Sequence, residues 1–312
     1  MNKRTLLTLI CAFILVVVSI SPALAQDDDD TPYFPAWDGE SRFTMLIMGM
    51  DRRPGARDTL RVRTDVMILA SIDPQTNSLG LLHIPRDIHL TPAGTGDFIR
   101  VNSLLVEGEE LQEGYGPYYA MDTIQYNLGM YVDRYVAFDF EAFINIIDAL
   151  GGIEITTDYT IDDPTYPDMN YGFDPFYLPR GTHTLDGYTA LQYARTRHGD
   201  NDFVRGLRQL DVIEAVFDRV SGDDMLPYLI GLAPTLLTEL QSNIYTDLQL
   251  QDMMMLAQFM INIPRENISG NTINLSHNMT YTLPGGTTVY IPDRTNISEL
   301  LEEVFGENYY LR

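Results

Sequence analysis

The chain has 312 residues, and 44 aspartates and glutamates against 20 lysines and arginines give it a formal charge of −24. A chain this acidic, with no continuous basic stripe, is a poor partner for nucleic acid, whose binding rests on neutralising phosphates. Its single cysteine, Cys11, falls in the leader, so disulfides, thiol chemistry and a cysteine–zinc site are excluded from the rest.

The chain opens with Lys3 and Arg4, an apolar run from Leu6 to Ile20 and then "SPALA". A charged start, a short apolar stretch and a small-residue site make the pattern of a secretory signal over 1–25, expected to be cleaved after Ala25. The run is shorter than the roughly 20 residues a membrane span needs; an uncleaved signal-anchor is the alternative. On either reading the bulk of the protein lies outside the cytoplasm, secreted or held on the outer face of the membrane. Residues 26–40, "QDDDDTPYFPAWDGE", read as an acidic flexible linker. Residues 41–312 read as one domain, with no internal repeat and no second linker.

"FTMLIMGMD" is an apolar run with polar residues at its exit, which predicts a buried strand. "DVMILASID" and "SLGLLHIP" are two more, joined by the turn cluster "PQTN", which predicts a hairpin. Tyr118–Leu128 reads as a helix, "RYVAFDF" as a strand, "EAFINIIDALGG" as an amphipathic helix stopped by glycines and "GIEITT" as a strand. "DPTYPDMNYGFDPFYLPRG" reads as a long loop. Thr184 and Asp186 are placed to cap a helix through Tyr193. Phe203–Val220 reads as a helix with Leu210, Ile213, Phe217 and Val220 on one stripe. Helices over Leu226–Leu240 and Leu248–Ile261, the short segments "NTINLS", "YTLPGG" and "TVYIPD", and a helix over Ile297–Phe305 complete the chain. Alternating strands and helices with one hairpin predict a three-layer α/β fold around a mixed sheet.

After the leader there are eighteen arginines and no lysine, and four of them crowd into "YARTRHGDNDFVRGLRQ", residues 193–209. Scattered surface ion pairs are worth little, and that reading suits Arg57, Arg61, Arg134, Arg180 and Arg219. Arg63, Arg86 and Arg100 resist it, because they follow or end strands, where α/β sheets place ligand sites. Arg195 and Arg197 alternate after a helix and would point the same way in extended chain. Arg205, Arg208 and Gln209 share a face at a helix start, where free N–H groups favour anions. Guanidinium forks grip phosphate oxygens bidentately, so the sharper reading is a polyphosphate site. Phosphate on an acidic protein calls for a bridging metal. Asp51 and Asp65, oxygen donors at strand ends with no histidine or cysteine cluster beside them, point to Mg2+ or Mn2+. For Asp51 a plain turn or cap role stays open. His198 reads as an exposed loop histidine. Serine-hydrolase, zinc-protease and P-loop motifs do not occur.

"GMDRR", "RTDVMILASIDPQTNSLGLLHIPRD", "RVN", "DFEAFINIIDALGGIEI", "GTHTLDGYTALQYARTR", "DFVRGLRQ" and "YTLPGG" stand in the order seen in the LytR-CpsA-Psr family. The resemblance runs from about Phe43 to the C-terminus. It implies an α/β/α sandwich with a long apolar pocket for a polyprenyl chain. It also implies an extracytoplasmic, membrane-associated transferase that moves a glycopolymer from a polyprenyl-pyrophosphate carrier to peptidoglycan through a phosphodiester. Asp51 and Asp65 match the family's metal-associated aspartates, and Arg63 and Arg86 its pyrophosphate-binding arginines, with Asp87 the neighbouring acid of "IPRD". Arg100 stands where the family often has lysine. Arg195 and Arg197 match the R-x-R pair, and Arg205 and Gln209 match the arginine and glutamine of the next helix. Gly206 and Leu207 depart from the Gln/Glu usual there. The implied catalysis is electrostatic, with Asp51, Asp65, Arg86 and Asp87 as the catalytic set and Asp51 or Asp87 deprotonating a sugar hydroxyl. "FEAFINIIDAL" and "LPYLIGLAPTLLTEL" are candidates for the prenyl pocket, with ordinary core packing the competing account. Two other classes stay open: a pyrophosphatase with water as acceptor, and a non-catalytic wall-polymer or lipid-binding protein.

Overall fold

A computed structural model describes residues 35–53, 59–168, 172–197, 201–221, 235, 238–239 and 242–311. The expected signal, most of the acidic linker, Arg57, His198 and most of the helix expected over Leu226–Leu240 lie outside the described residues.

The apolar run after Arg42 forms β1 (Phe43–Met50). The predicted hairpin is present as β2 (Thr64–Asp73) and β3 (Ser78–His83), and Asn77, at φ 50°, closes its turn in the left-handed region that asparagine tolerates. A two-stranded ribbon of β4 (His89–Leu90) and β5 (Ile99–Arg100) precedes helices α1 (Leu104–Leu111) and α2 (Gly116–Leu128). Gly129, at φ 72°, ends α2 as a left-handed cap. After β6 (Arg134–Phe138), Asp139 caps α3 (Phe140–Ala149) by accepting the Ala142 N–H. The next elements are β7 (Ile153–Thr157), β8 (Ile161–Asp163), β9 (Phe176–Leu178), β10 (Gly181–Leu185), α4 (Gly187–Arg195) and α5 (Asp202–Ser221). The chain then runs through β11 (Ile244–Thr246), α6 (Leu250–Asn262), β12 (Ile268–Thr272), β13 (Asn278–Thr282), β14 (Thr288–Pro292) and α7 (Arg294–Phe305).

Six strands form a mixed sheet in the order β11-β6-β1-β2-β3-β12, in which β1 runs parallel to β6 and β3 to β12. Its central strands are apolar at consecutive positions because both faces are covered. Met67, Leu69 and Leu82 pack on one face against Leu104, Ile124, Leu300 and Leu301 of α1, α2 and α7. Ile68, Ala70 and Leu81 pack on the other against Leu210 and Phe217 of α5, with Phe259 of α6 beside them. The three-layer α/β/α architecture is therefore as expected. No described helix is long and apolar enough to cross a membrane.

Three local readings change. The expected long loop after Ile161 contains β9, paired with β8 through Ile161↔Leu178, because Phe176 and Leu178 alternate inward around an exposed Tyr177. Thr184 belongs to β10, opposite Glu154 of β7, so only Asp186 caps α4. Trp37, read as linker, is buried in the compact unit Trp37–Arg312; its backbone N–H donates to Asp252 and its indole to the Ser41 carbonyl.

Candidate functional site

The parallel pairing brings the ends of β1, β3 and β6 to one edge of the sheet, together with the start of β2. Between that edge and helices α3, α4 and α5 lies a cavity of about 820 Å³. Its walls are largely apolar: Ile47, Val66 and Ile68 from the sheet, Phe143, Ile146 and Ile147 from α3, and Val212, Ile213 and Val216 from α5. The stretch "FEAFINIIDAL" thus supplies one wall. Asp65, Arg86, Arg195, Arg197, Arg205 and Gln209 line the same cavity. Residues up to 144 positions apart in sequence, Asp65 and Gln209, are gathered by the topology.

Asp65 reaches the cavity through an irregularity. Gly49 pairs with Val66 but Met50 pairs with Thr64, so Asp65 is the extra residue of a β-bulge. Strict alternation would have sent it to the face of Met67 and Leu69; the bulge lets it join Val66 and Ile68 on the cavity side. Arg86, three residues past β3, sets Nη1 2.5 Å from Asp65 Oδ1. Its Nε stands 3.8 Å from Asp87 and has no hydrogen-bond partner among the described residues. Burial works against the Arg86 charge, but Asp65, then Asp87 and Asp202, outweigh it and hold the group more firmly protonated than usual.

Arg205 is only 2% exposed. Its Nη2 lies 2.7 Å from Asp202 Oδ1, out of line for a hydrogen bond, and its Nε is also unpartnered among the described residues. Burial pushes its pKa down to about 10 against the pull of Asp202, and Arg197 and Arg86 add to the strain on its charge. Arg197 is likewise pushed down, first by burial and then by Arg86. A buried arginine, Arg205, crowded by the partly buried Arg86 and the exposed Arg197 beside a cavity, is arranged for an anion. Gln209 donates to the Ala194 carbonyl at 3.2 Å and leaves its buried Oε1 without a partner among the described residues.

Arg195 proves helical rather than extended: it is the last residue of α4, and the chain leaves the helix at the buried Thr196. Its guanidinium lies 4.2 Å above the Phe140 ring and donates to the Tyr166 hydroxyl at 3.0 Å. Arg208 does not share the face of Arg205 and Gln209; it is buried, donates to the Thr196 carbonyl and the Tyr159 hydroxyl, and does not line the cavity. The start of α5 is less open than its sequence suggests, because Asn201 Oδ1 accepts the N–H groups of Phe203 and Val204. Gly206 has a spatial reason. A β-carbon there would fall 2.2 Å from Nδ1 of His83, so glycine lets α5 lie directly on that buried ring. Burial, then Arg205, pushes His83 down to about 3, which keeps it neutral.

Asp51, Arg63, Asp87 and Arg100 stand outside the cavity lining. Asp51 and Arg63 are exposed where β1 and β2 meet, joined by a backbone bond of 2.8 Å. Asp87 and Arg100, both about half exposed, lie 3.6 Å apart and continue the ion-pair chain outward from Arg86. Arg134, read as a surface charge, is 3% exposed and bonded to the fully buried Asp252 at 3.1 Å. Arg52, given no individual role by the sequence, is buried and donates to Asp139, Tyr245 and the Ser242 carbonyl, so it ties the end of β1 to the start of α3. Only its place at the end of an apolar strand hinted at this.

Among the described residues, no three His, Cys, Asp or Glu side chains gather closely enough to hold a metal by themselves. Asp51, one residue past β1 and outside the cavity lining, and Asp65, in the lining and engaged by Arg86, are hard oxygen donors. That donor set fits Mg2+ or Mn2+ taking its remaining ligands from phosphate and water.

The sequence model of the LytR_cpsA_psr family matches residues 16–305. TagV of Bacillus subtilis, a polyisoprenyl-teichoic acid–peptidoglycan teichoic acid transferase, is 27% identical over 262 residues, 83% of this chain and 62% of TagV. TagT of the same organism, a transferase of the same description, is 27% identical over 71% of this chain and 66% of its own length. The chain thus spans somewhat under two thirds of each. The crystal structure of B. subtilis TagV matches with a TM-score of 0.66 at 25% identity, covering 85% of this chain and 96% of that one. TagT bound to LIIa-WTA matches with a TM-score of 0.64 at 23% identity over 92% and 98%, a likeness of fold.

Proposed function

Because the chain belongs to the LytR_cpsA_psr family, we propose that it is an extracytoplasmic phosphotransferase that moves a glycopolymer from a polyprenyl-pyrophosphate carrier to peptidoglycan. The observation that carries the reading is the union, in one cavity, of long apolar walls with buried guanidinium groups whose N–H bonds lack partners among the described residues. The apolar walls suit a prenyl chain, and Arg86, Arg195, Arg197 and Arg205 suit its diphosphate. The named activities of TagV and TagT point the same way.

An acceptor hydroxyl attacks the phosphorus that bears the polymer. The bridging P–O bond to the carrier phosphate breaks, prenyl monophosphate leaves, and the hydroxyl proton passes to a carboxylate, Asp51 or Asp87. The arginines bind the diphosphate and stabilise the charge that grows on the leaving phosphate. Mg2+ or Mn2+, held by Asp51 and Asp65, would supply further neutralisation of the diphosphate. Arg63 and Arg100, outside the cavity, suit the approach of charged substrate rather than its final grip. Export, with a mature N-terminus at Gln26, is part of the reading and is checked by N-terminal sequencing from the native host.

The test is to incubate the purified protein with a short-chain prenyl-diphosphate glycan, a peptidoglycan fragment and Mg2+, and to analyse the products by mass spectrometry. A phosphodiester-linked conjugate together with prenyl monophosphate is expected. Glycan phosphate released equally fast without the fragment would make the protein a pyrophosphatase. Tight retention of the lipid with no turnover would make it a binding protein.

A further inference from the structure

The hairpin of β13 and β14 packs on the β4–β5 ribbon, next to the ion-pair chain that leads out of the cavity. Phe98, immediately before β5, lies against Tyr281 of β13 with ring centroids 4.7 Å apart. Tyr281 is 40% exposed and Met279, two residues back, 50%. Phe98 lies two residues before Arg100, so the two Cα atoms are at most about 7 Å apart along the chain. The half-exposed Arg100 is 3.6 Å from Asp87, and Asp87 is 3.8 Å from Arg86, which lines the cavity. An aromatic pair is therefore continuous with the edge of the phosphate-binding cluster.

The surroundings of this pair define what fits it. From Asn278 to Pro292 the hairpin carries no charged residue, in a chain of net charge −24. Apart from Asn278, its polar side chains are hydroxyls, those of Thr280, Tyr281, Thr282, Thr287, Thr288 and Tyr290. Aromatic faces flanked by neutral hydroxyls match the apolar faces and hydroxyl rims of pyranose rings. Arg100 offers one cation for a carboxylate carried on such a chain. An anionic bilayer fits less well, since membrane docking draws on clustered lysines and arginines, which the hairpin lacks.

We propose that Phe98 and Tyr281, with Arg100 at their edge, form a subsite for the acceptor glycan, an uncharged pyranose strand bearing pendant carboxylates. The subsite's place in the reaction rests on the transferase reading above; its glycan binding does not. It would hold an acceptor strand beside Asp87, outside the lipid cavity, so that donor and acceptor enter by separate routes.

The probe is a soluble peptidoglycan tetrasaccharide, titrated into the full mature chain by calorimetry. Tyr281→Ala should weaken its binding about fivefold to tenfold, as loss of one aromatic stack predicts, and Tyr281→Phe should restore most of it. Affinity for a short-chain prenyl pyrophosphate should be unchanged in both. Tyr281→Trp keeps an aromatic ring and adds a reporter, whose emission should shift on adding the tetrasaccharide even if the alanine variant does not fold. An unchanged tetrasaccharide affinity in folded Tyr281→Ala, or no emission shift, overturns the proposal. So does a Tyr281→Ala variant that loses binding to anionic phospholipid vesicles while keeping the glycan. A wild-type protein that binds the tetrasaccharide but neither binds prenyl pyrophosphate nor transfers would sink the transferase reading and leave the subsite standing.

Discussion

Arg134 and Arg205 are equally hidden, at 3% and 2% exposure, yet their surroundings are opposites. Arg134 bonds through Nε to Asp252 and through Nη1 to the Asp133 carbonyl. Asp252 also accepts the N–H groups of Trp37 and Gln249, so one buried pair fastens the start of the folded unit to the start of α6. Carboxylate is in excess there: burial pushes Asp247 up to about 6, although the Tyr135 N–H and Arg134 hold it down. Around Arg205 the imbalance is of guanidinium. It shares Asp202 with Arg197, is pressed by Arg86, and keeps Nε unpartnered among the described residues. A buried arginine is thus no sign of a ligand by itself. A buried arginine with idle donors, set in a cavity wall, is one.

The comparison can be broken most forcefully at Arg134. Arg134→Ala leaves the Asp252 carboxylate buried without its cation, and a loss of about 3–5 kcal/mol in unfolding free energy is expected. Urea unfolding measures it, and the fraction that stays folded should bind prenyl pyrophosphate normally. Arg205→Ala should do the reverse. Affinity for a short-chain prenyl pyrophosphate should fall by about 1.5–3 kcal/mol, on the order of ten- to a hundredfold, while the unfolding midpoint holds. Arg86→Ala and Arg197→Ala should weaken the same ligand, and Arg197→Lys should recover only part, for want of a bidentate fork. If Arg134→Ala cost the ligand as much as these do, bulk charge and not a site would be responsible.

Asp247 sharpens the contrast through pH. Its carboxyl titrates at about 6 in the folded protein and near 3.8 when unfolded. Between those values the folded state binds more protons, so this group lowers stability as pH rises through the window, and its cost is complete above it. Asp247→Asn should therefore stabilise the protein by about 1–2 kcal/mol near pH 7, with the gain gone by about pH 4. Thermal unfolding across that range checks it; a gain that grew toward acid would reverse the assignment. The smallest effect is expected at Arg219, further along the helix that carries Arg205, where Nε donates to the Leu150 carbonyl at 3.0 Å. Arg219→Ala should cost about 0.5–1 kcal/mol of stability and leave ligand affinity at the wild-type value.

Much of this molecule is legible before it folds. The β2–β3 hairpin and the stripe of α5 follow from apolar periodicity, and the hairpin and Leu210, Ile213 and Phe217 of the stripe appear where the pattern puts them, while Val220 joins no core cluster among the described residues. Asp65, Arg86, Arg195, Arg197, Arg205 and Gln209 are all named by position and type, and the topology brings them to one cavity. What stays illegible depends on contacts distant in sequence. Arg134 looks like a surface charge because its partner, Asp252, lies 118 residues away. Arg208 turns from Gln209 because a tyrosine and a carbonyl from other segments take its guanidinium. The β8–β9 pair is too short to show a period inside a stretch rich in proline, tyrosine and aspartate.

The bulge at Asp65 makes the site a matter of parity. Every regular position of β2 belongs to one face or the other by odd and even count, and the single unpaired residue is where that count is reset. Because the reset falls at the strand entrance, the segment between Met50 and Thr64 can lengthen or shorten without disturbing which residues of β2 face the cavity. Deleting Thr64, so that Asp65 itself must pair with Met50, is a different matter. It would restore strict alternation, and the choice would then lie between a carboxylate among Met67 and Leu69 and a whole strand turned inside out. Tolerance to length change on one side of a single residue, and intolerance on the other, is thus written into the ladder itself.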